Sequence, residues 1–312
     1  MTDAPAIEIT RLVKRFGDAV ALDGIDLAVP QGAVFGFLGP NGAGKTTALR
    51  ILTGLARPTA GQARILGADV STAGNVVRSR IGYLPDVPGF YPWMTAREYL
   101  DFAGRLFALD RATLDERAKA LLEMAGLASV TTPVGGFSRG MKQRLGIAQA
   151  LINAPSLLML DEPTSALDPI GRREVLEMVA SLRGRTTVFF STHILADVER
   201  VCDAVAILER GRIVESADIA ELTARATANR LVVELEDTGA AASVASELAG
   251  RTWLKSVDTT ERTLRVTVSD LSAAQREIPA AIVSAGVALR RFEIEEGSLE
   301  DVFVELVGGT AP

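Results

Sequence analysis

The chain has 312 residues, 48% of them hydrophobic and only 5% aromatic, with a formal net charge of −6, one cysteine and one histidine. That length accommodates one large domain and a small one, the Ala/Val/Leu-rich composition excludes a disordered chain, and the acidic balance argues against nucleic acid as the main partner. The single cysteine, Cys202, excludes an internal disulfide and fits a reducing compartment.

Met1 to Thr10 carries Asp3 and Glu8 and lacks the basic start and apolar stretch of a signal peptide. Apolar runs such as Leu157 to Leu160 fall far below the roughly 18 residues that span a bilayer. A cytoplasmic protein is expected, with any membrane role coming through a partner.

Residues 6–30 read as two β-rich segments around a turn at Gly17-Asp18. Ala33 to Leu38 reads as a buried strand that runs into Gly39. The next eight residues, Gly39, Pro40, Asn41, Gly42, Ala43, Gly44, Lys45 and Thr46, satisfy the phosphate-loop pattern G-x-x-x-x-G-K-[ST]. Glycines let successive backbone N–H groups point at phosphate oxygens, Lys45 reaches the β- and γ-phosphates, and the Thr46 hydroxyl faces magnesium. Thr47 beside them completes the candidate nucleotide-binding set. A helix is expected from Thr46, its N-terminus adding positive potential, with its end before Pro58.

Between about 88 and 152 the pattern becomes helical. Thr95-x-x-Glu98 and Thr113-x-x-Glu116 both read as capping boxes, Gly126 as a stop, and Ser138 as the start of a third helix to about Ile152. Strands are expected at 157–160, 187–191 and 204–208, with a helix at 171–182 between the first two. Leu157 to Leu160 ends in Asp161-Glu162, which sets one carboxylate for magnesium and a second, Glu162, beside an attacking water as general base. Strand–helix alternation broken by a helical insertion predicts an α/β core. Beyond 218, segments at 231–236, 240–249, 253–258, 263–268, 271–285 and 287–294 follow the order βαββαβ, a small ferredoxin-like α+β domain. A last helix is expected at 298–306.

Phe137-Ser138-Arg139-Gly140-Met141-Lys142-Gln143-Arg144 resembles the signature motif of ABC ATPases, usually Leu-Ser-Gly-Gly-Gln, with Ser138 and Gly140 kept and Phe, Arg and Met departing. Ser165 to Asp168 resembles the family's D-loop, and His193 its switch histidine. Phe16 sits where the family stacks an aromatic ring on adenine. Asp86, after Ile81 to Pro85, stands where the family usually has the Q-loop glutamine; as a hard oxygen donor it is a candidate for magnesium or its water. Glu296 to Phe303 is similar to the ending of ATPases of ABC-2-type exporters.

The resemblance implies a P-loop nucleotide-binding domain over 6–217, with a RecA-like core, an antiparallel β subdomain and the helical insertion, followed by an accessory domain over 219–312. It implies ATP and Mg2+ as cofactors, Glu162 and His193 as catalytic groups, and His193 on the γ-phosphate. Thr46, Asp161 and Asp86 form the metal set. Ser138, Gly140 and Asp168 would act on the partner subunit's ATP, in a homodimer or a pair with a related ATPase. A separate transmembrane permease would be driven for export, with this chain peripheral on the inner face of the membrane. No Asn-Lys-x-Asp run reads guanine, which favours ATP. The alternative is a soluble ABC ATPase without transport.

Overall fold

The computed structural model describes residues 4–227, 230–294 and 303. Two compact units divide the chain, 1–219 and 220–312.

The first unit opens with a hairpin of β1 (Ile7–Phe16) and β2 (Ala19–Val29), closed by the pair Phe16 and Ala19 around Gly17. β3 (Val34–Leu38) then leads through the loop at 39–44 into α1 (Lys45–Leu52). The segment 60–84 holds β4 (Ala60–Ile65), β5 (Ala68–Asp69), α2 (Gly74–Arg80) and β6 (Ile81–Leu84). The helical insertion contributes α3 (Ala96–Leu106), α4 (Arg111–Met124) and α5 (Arg139–Leu151). The core resumes with β7 (Leu157–Asp161), α6 (Pro169–Ala180), β8 (Thr187–Thr192), α7 (Leu195–Val201), β9 (Ala204–Glu209) and β10 (Arg212–Asp218).

Two sheets result. An antiparallel sheet runs in the order β2-β1-β4-β5, and a six-stranded sheet in the order β10-β9-β3-β8-β7-β6. β3, β8, β7, β6 and β9 are parallel and only β10 runs against its neighbour. Every residue of β3, β7 and β8 is buried, as strands covered on both faces require. Their carboxyl ends lie side by side, because Leu38 pairs with Thr192 and Asp161 with Ser191. Ligands of open α/β sheets bind outside this edge.

α1 ends at Leu52, before Pro58 as expected, and the sequence reading needs correction at one helix start. α4 is capped by Asp110, whose carboxylate accepts from Thr113 N at 3.0 Å and Thr113 Oγ1 at 2.6 Å. Thr113 is thus the third residue of that helix, and the box expected at Thr113 and Glu116 does not form; an ionised cap is the stronger acceptor for the free N–H groups. The box at Thr95 and Glu98 is complete.

In the second unit α8 (Ile219–Thr227) begins at the division, followed by β11 (Arg230–Leu235), α9 (Ala240–Leu248), β12 (Leu254–Thr259), β13 (Thr263–Val268), α10 (Leu271–Ser284) and β14 (Leu289–Ile294). The antiparallel order β12-β13-β11-β14 is the ferredoxin-like arrangement expected of βαββαβ. Leu231, Val233 and Leu235 alternate into a core with Leu264, Val266, Val244 and Ile278. The last helix expected at 298–306 and the Glu296 to Phe303 motif lie, apart from Phe303, outside the described residues.

Candidate active site

The loop between β3 and α1 is built by close backbone approach. A Cβ at Gly39 would lie 2.3 Å from the Leu208 carbonyl oxygen, and one at Gly44 would lie 2.4 Å from that of Ala21. Gly44 also takes φ 113°, open only to glycine in practice. α1 then starts at Lys45 with Ala48, Leu49, Ile51 and Leu52 buried, which fixes its free N–H end against the carboxyl edge of the sheet.

Lys45 is 5% exposed. Its ammonium donates to Gly39 O at 2.6 Å and Pro40 O at 3.1 Å, and Glu162 Oε1 lies 3.0 Å away. That last contact is an ion pair without hydrogen-bond geometry. Thr46 Oγ1 donates to Asp161 Oδ1 at 3.2 Å, and Ser191 Oγ donates to the same oxygen at 2.7 Å. Burial pushes the Asp161 carboxyl up; the hydrogen bonds from Ser191 and Thr46 pull the other way, and the charges of Glu162 and Asp86 add to the rise. The Tyr83 phenol is pushed up to about 12, first by burial and then by Asp161.

Glu162 departs from the strand with φ 48°, a left-handed conformation in a residue with a Cβ. Strain of this kind persists where surrounding bonds over-determine it. Here Glu162 N donates to Ser191 O and to Ser191 Oγ, both at 3.1 Å. The turned backbone brings Glu162 Oε2 to 2.8 Å from His193 Nδ1. Lys45, Thr46, Asp161, Glu162 and His193, expected from separate motifs, therefore meet in one cluster.

The remaining candidates sit around it. Phe16 ends β1 and is 55% exposed, with Lys14 Nζ 4.7 Å from its ring centroid. Asn41, Gly42 and Ala43 line the loop before α1, and Thr47 follows Thr46 within α1. Ser138 caps α5, accepting from Met141 N at 3.2 Å. Gly140 is buried against Gly171, and Asp168 caps α6 through Gly171 N at 3.3 Å. Ser138, Gly140 and Asp168 form no hydrogen bond or ion pair with the Lys45–Glu162 cluster among the described residues. Asp86 makes no side-chain hydrogen bond or ion pair there either, and acts on Asp161 through its charge alone.

Two supports escaped the sequence reading. Ser191 was visible only as part of the strand before His193, yet it holds both Asp161 and the Glu162 backbone. Asp197, fully buried, accepts from Thr164 Oγ1 at 2.6 Å and Arg172 Nε at 2.5 Å. It ties the turn after Glu162 to α6 and to α7, four residues beyond His193. In a helix of seven residues no local pattern marks its burial.

Known proteins resemble this chain in sequence and fold. The family described as ABC transporter matches residues 22–165, and that described as ATP-binding protein DrrA1-3-like, C-terminal domain, matches 217–307. The chain is 38% identical over 302 residues to the uncharacterized ABC transporter ATP-binding protein YxlF of Bacillus subtilis (strain 168), covering 96% of this chain and 99% of that one. It is 38% identical over 307 residues to the daunorubicin resistance ATP-binding protein DrrA3 of Streptomyces coeruleorubidus, covering 97% and 96%. A solved structure of an ATP-binding subunit of an ABC transporter superposes with a TM-score of 0.64 at 29% identity, over 70% of this chain and 92% of that one. Likeness sustained through both units, over nearly the whole of two relatives, makes this chain a member of the ABC transporter family, as an ATP-hydrolysing subunit of the DrrA-like exporter type.

Proposed function

We propose that residues 6–217 bind Mg2+-ATP at the loop 39–47 and hydrolyse it with Glu162 as general base, and that residues 219–312 form an accessory domain. The observation that carries this reading is the convergence of Lys45, Thr46, Asp161, Glu162 and His193 through the contacts above. Phosphate oxygens compete for the Lys45 ammonium and for the His193 ring, the two groups that hold Glu162. Once both turn to the γ-phosphate, the Glu162 carboxylate is free to accept a proton from water. Phe16, aromatic and exposed at the end of β1, stacks on adenine.

For magnesium the donor chemistry fits. A hydroxyl and a carboxylate oxygen meet at Thr46 and Asp161, and among the described residues no group of three or more His, Cys, Asp or Glu forms a cage. Magnesium is held this way, by one or two protein oxygens with phosphates and water completing the shell. When bound it neutralises charge on the phosphates. Asp161 then keeps its carboxylate by virtue of that cation against the pull of burial.

ABC ATPase subunits dimerise and work with membrane permease subunits. Here Ser138, Gly140 and Asp168 serve the ATP held by Lys45 of the other subunit, a second copy or a related ATPase. No helix of the described residues is long and apolar enough to cross a membrane. In this reading the chain is held peripherally on the inner face by its permease. Val87, Trp93, Leu106 and Phe107 are exposed on and before the helical insertion, large apolar side chains available to that contact. Co-expression with a membrane subunit tests this: the tagged chain should sediment with membranes only when the permease is present. Sedimentation independent of the permease, or none with it, would favour the soluble alternative.

A further inference from the structure

Asp86, Val87 and Pro88, which follow β6, line a cavity of about 260 Å3 together with Arg139, Lys142 and Gln143 of α5. Gln143 is 1% exposed, and neither Oε1 nor Nε2 of its amide has a partner. Leaving both ends of a buried amide unmet is unfavourable, and such groups call for an explanation. Arg139 and Lys142, three apart on α5, share its surface and form no side-chain ion pair or hydrogen bond among the described residues. Arg139 also opens the helix, where the backbone dipole disfavours a cation that has no anion beside it.

One carboxylate faces this set. Asp86 is the only acidic residue among those that line the cavity, opposite Arg139 and Lys142.

We propose that Asp86 is a latch, received in this cavity by the Gln143 amide and the Lys142 ammonium, with Arg139 at the rim. It joins the segment after β6 to the helix that carries Ser138, and so acts as a positioning residue and not as a magnesium ligand. The consequence for catalysis rests on the reading that Ser138 serves the other subunit's ATP; the latch itself does not.

Cross-linking of the full-length chain reads the latch without nucleotide or turnover. Cys202 is the only cysteine and is buried, so Asp86→Cys with Lys142→Cys introduces the only reactive pair. Under mild copper-catalysed oxidation this pair should close an intrachain disulfide, seen by peptide mass spectrometry, well ahead of the control Asp86→Cys with Lys119→Cys. A charge swap reads the consequence. Asp86→Lys and Lys142→Glu should each lower kcat about tenfold with the KM for ATP within about twofold, the size of a direct coupling. The double substitution should recover most of that loss and the melting temperature. A cross-link no faster than the control, or a folded double variant no better than the worse single one, overturns the latch. Absence of turnover in the unsubstituted chain would strike the proposed function and leave the cross-linking result intact.

Discussion

The Lys45 ammonium lies 3.0 Å from Glu162 Oε1, so the cation of the phosphate loop and the carboxylate at the end of β7 neutralise one another inside the protein. Both are largely buried, and removing the Lys45 charge leaves the Glu162 carboxylate with its His193 contact but no lysine counter-ion. Lys45→Met should therefore cost about 3 kcal/mol, the low end for breaking a buried pair, or roughly 6–12 °C in melting temperature for a unit of this size. Glu162→Gln added to Lys45→Met should recover most of it. Equal melting of the native and Lys45→Met chains would mean that the pair contributes nothing.

Asp161 gives a prediction in pH. Burial holds its carboxyl above the ordinary value, so the folded chain keeps a proton that the unfolded chain has released. Folded stability accordingly falls as pH rises through the interval between the two values, upward from about 3.9. Asp161→Asn should remove that contribution and, without metal, raise the melting temperature at pH 7 while abolishing turnover. Urea titrations of both proteins between pH 4 and 7 measure the difference; parallel curves would contradict the assignment.

Asp197 holds Thr164 and Arg172 but touches no part of the phosphate loop in the contacts described. Asp197→Asn keeps the size and an acceptor for Thr164, and leaves the Arg172 guanidinium without its carboxylate. Loss of a hydrogen bond to a charged group should cost about 2 kcal/mol of stability. At a temperature where the variant is folded, kcat should fall with little change in the KM for ATP, because Glu162 and His193 lose their common brace. A rise in KM at constant kcat would assign Asp197 to nucleotide binding instead.

Much of the site was readable because its parts are local in sequence. Gly39 to Thr46 and Asp161-Glu162 each follow a short apolar strand, and parallel pairing of β3, β8 and β7 delivers them to one edge. The βαββαβ order of the second unit was legible for the same reason, each element being long enough to show its period. What escaped depends on partners far along the chain. Ser191 looks like a filler within an apolar strand until its register with Asp161 is known. Gln143 and Asp197 are polar residues whose burial no local pattern reports. In 60–84, β5 has two residues and α2 seven, too few to establish a period. At Asp110 and Thr113 two capping residues compete, and only the backbone shows which lies outside the helix.

Shared catalysis across a dimer predicts complementation. Glu162→Gln and Ser138→Ala are each expected to hydrolyse ATP poorly. In a mixed dimer one site carries both lesions and the other neither, so mixing should restore activity above both parents. Native mass spectrometry confirms that mixed dimers form. With mixed dimers present, activity no higher than either parent would show that each site lies within one chain.

In the proposed mechanism Glu162, once released by Lys45 and His193, removes the proton from the attacking water. Steady-state turnover and equilibrium ATP binding of purified Glu162→Gln test it together. Loss of a general base lowers the rate by about 10²–10⁴-fold, while the amide leaves the phosphate loop intact. The expected result is retained ATP binding, turnover reduced by at least about a hundredfold, and a nucleotide-bound dimer that persists in size-exclusion chromatography. Turnover within a few-fold of the native chain would contradict the account.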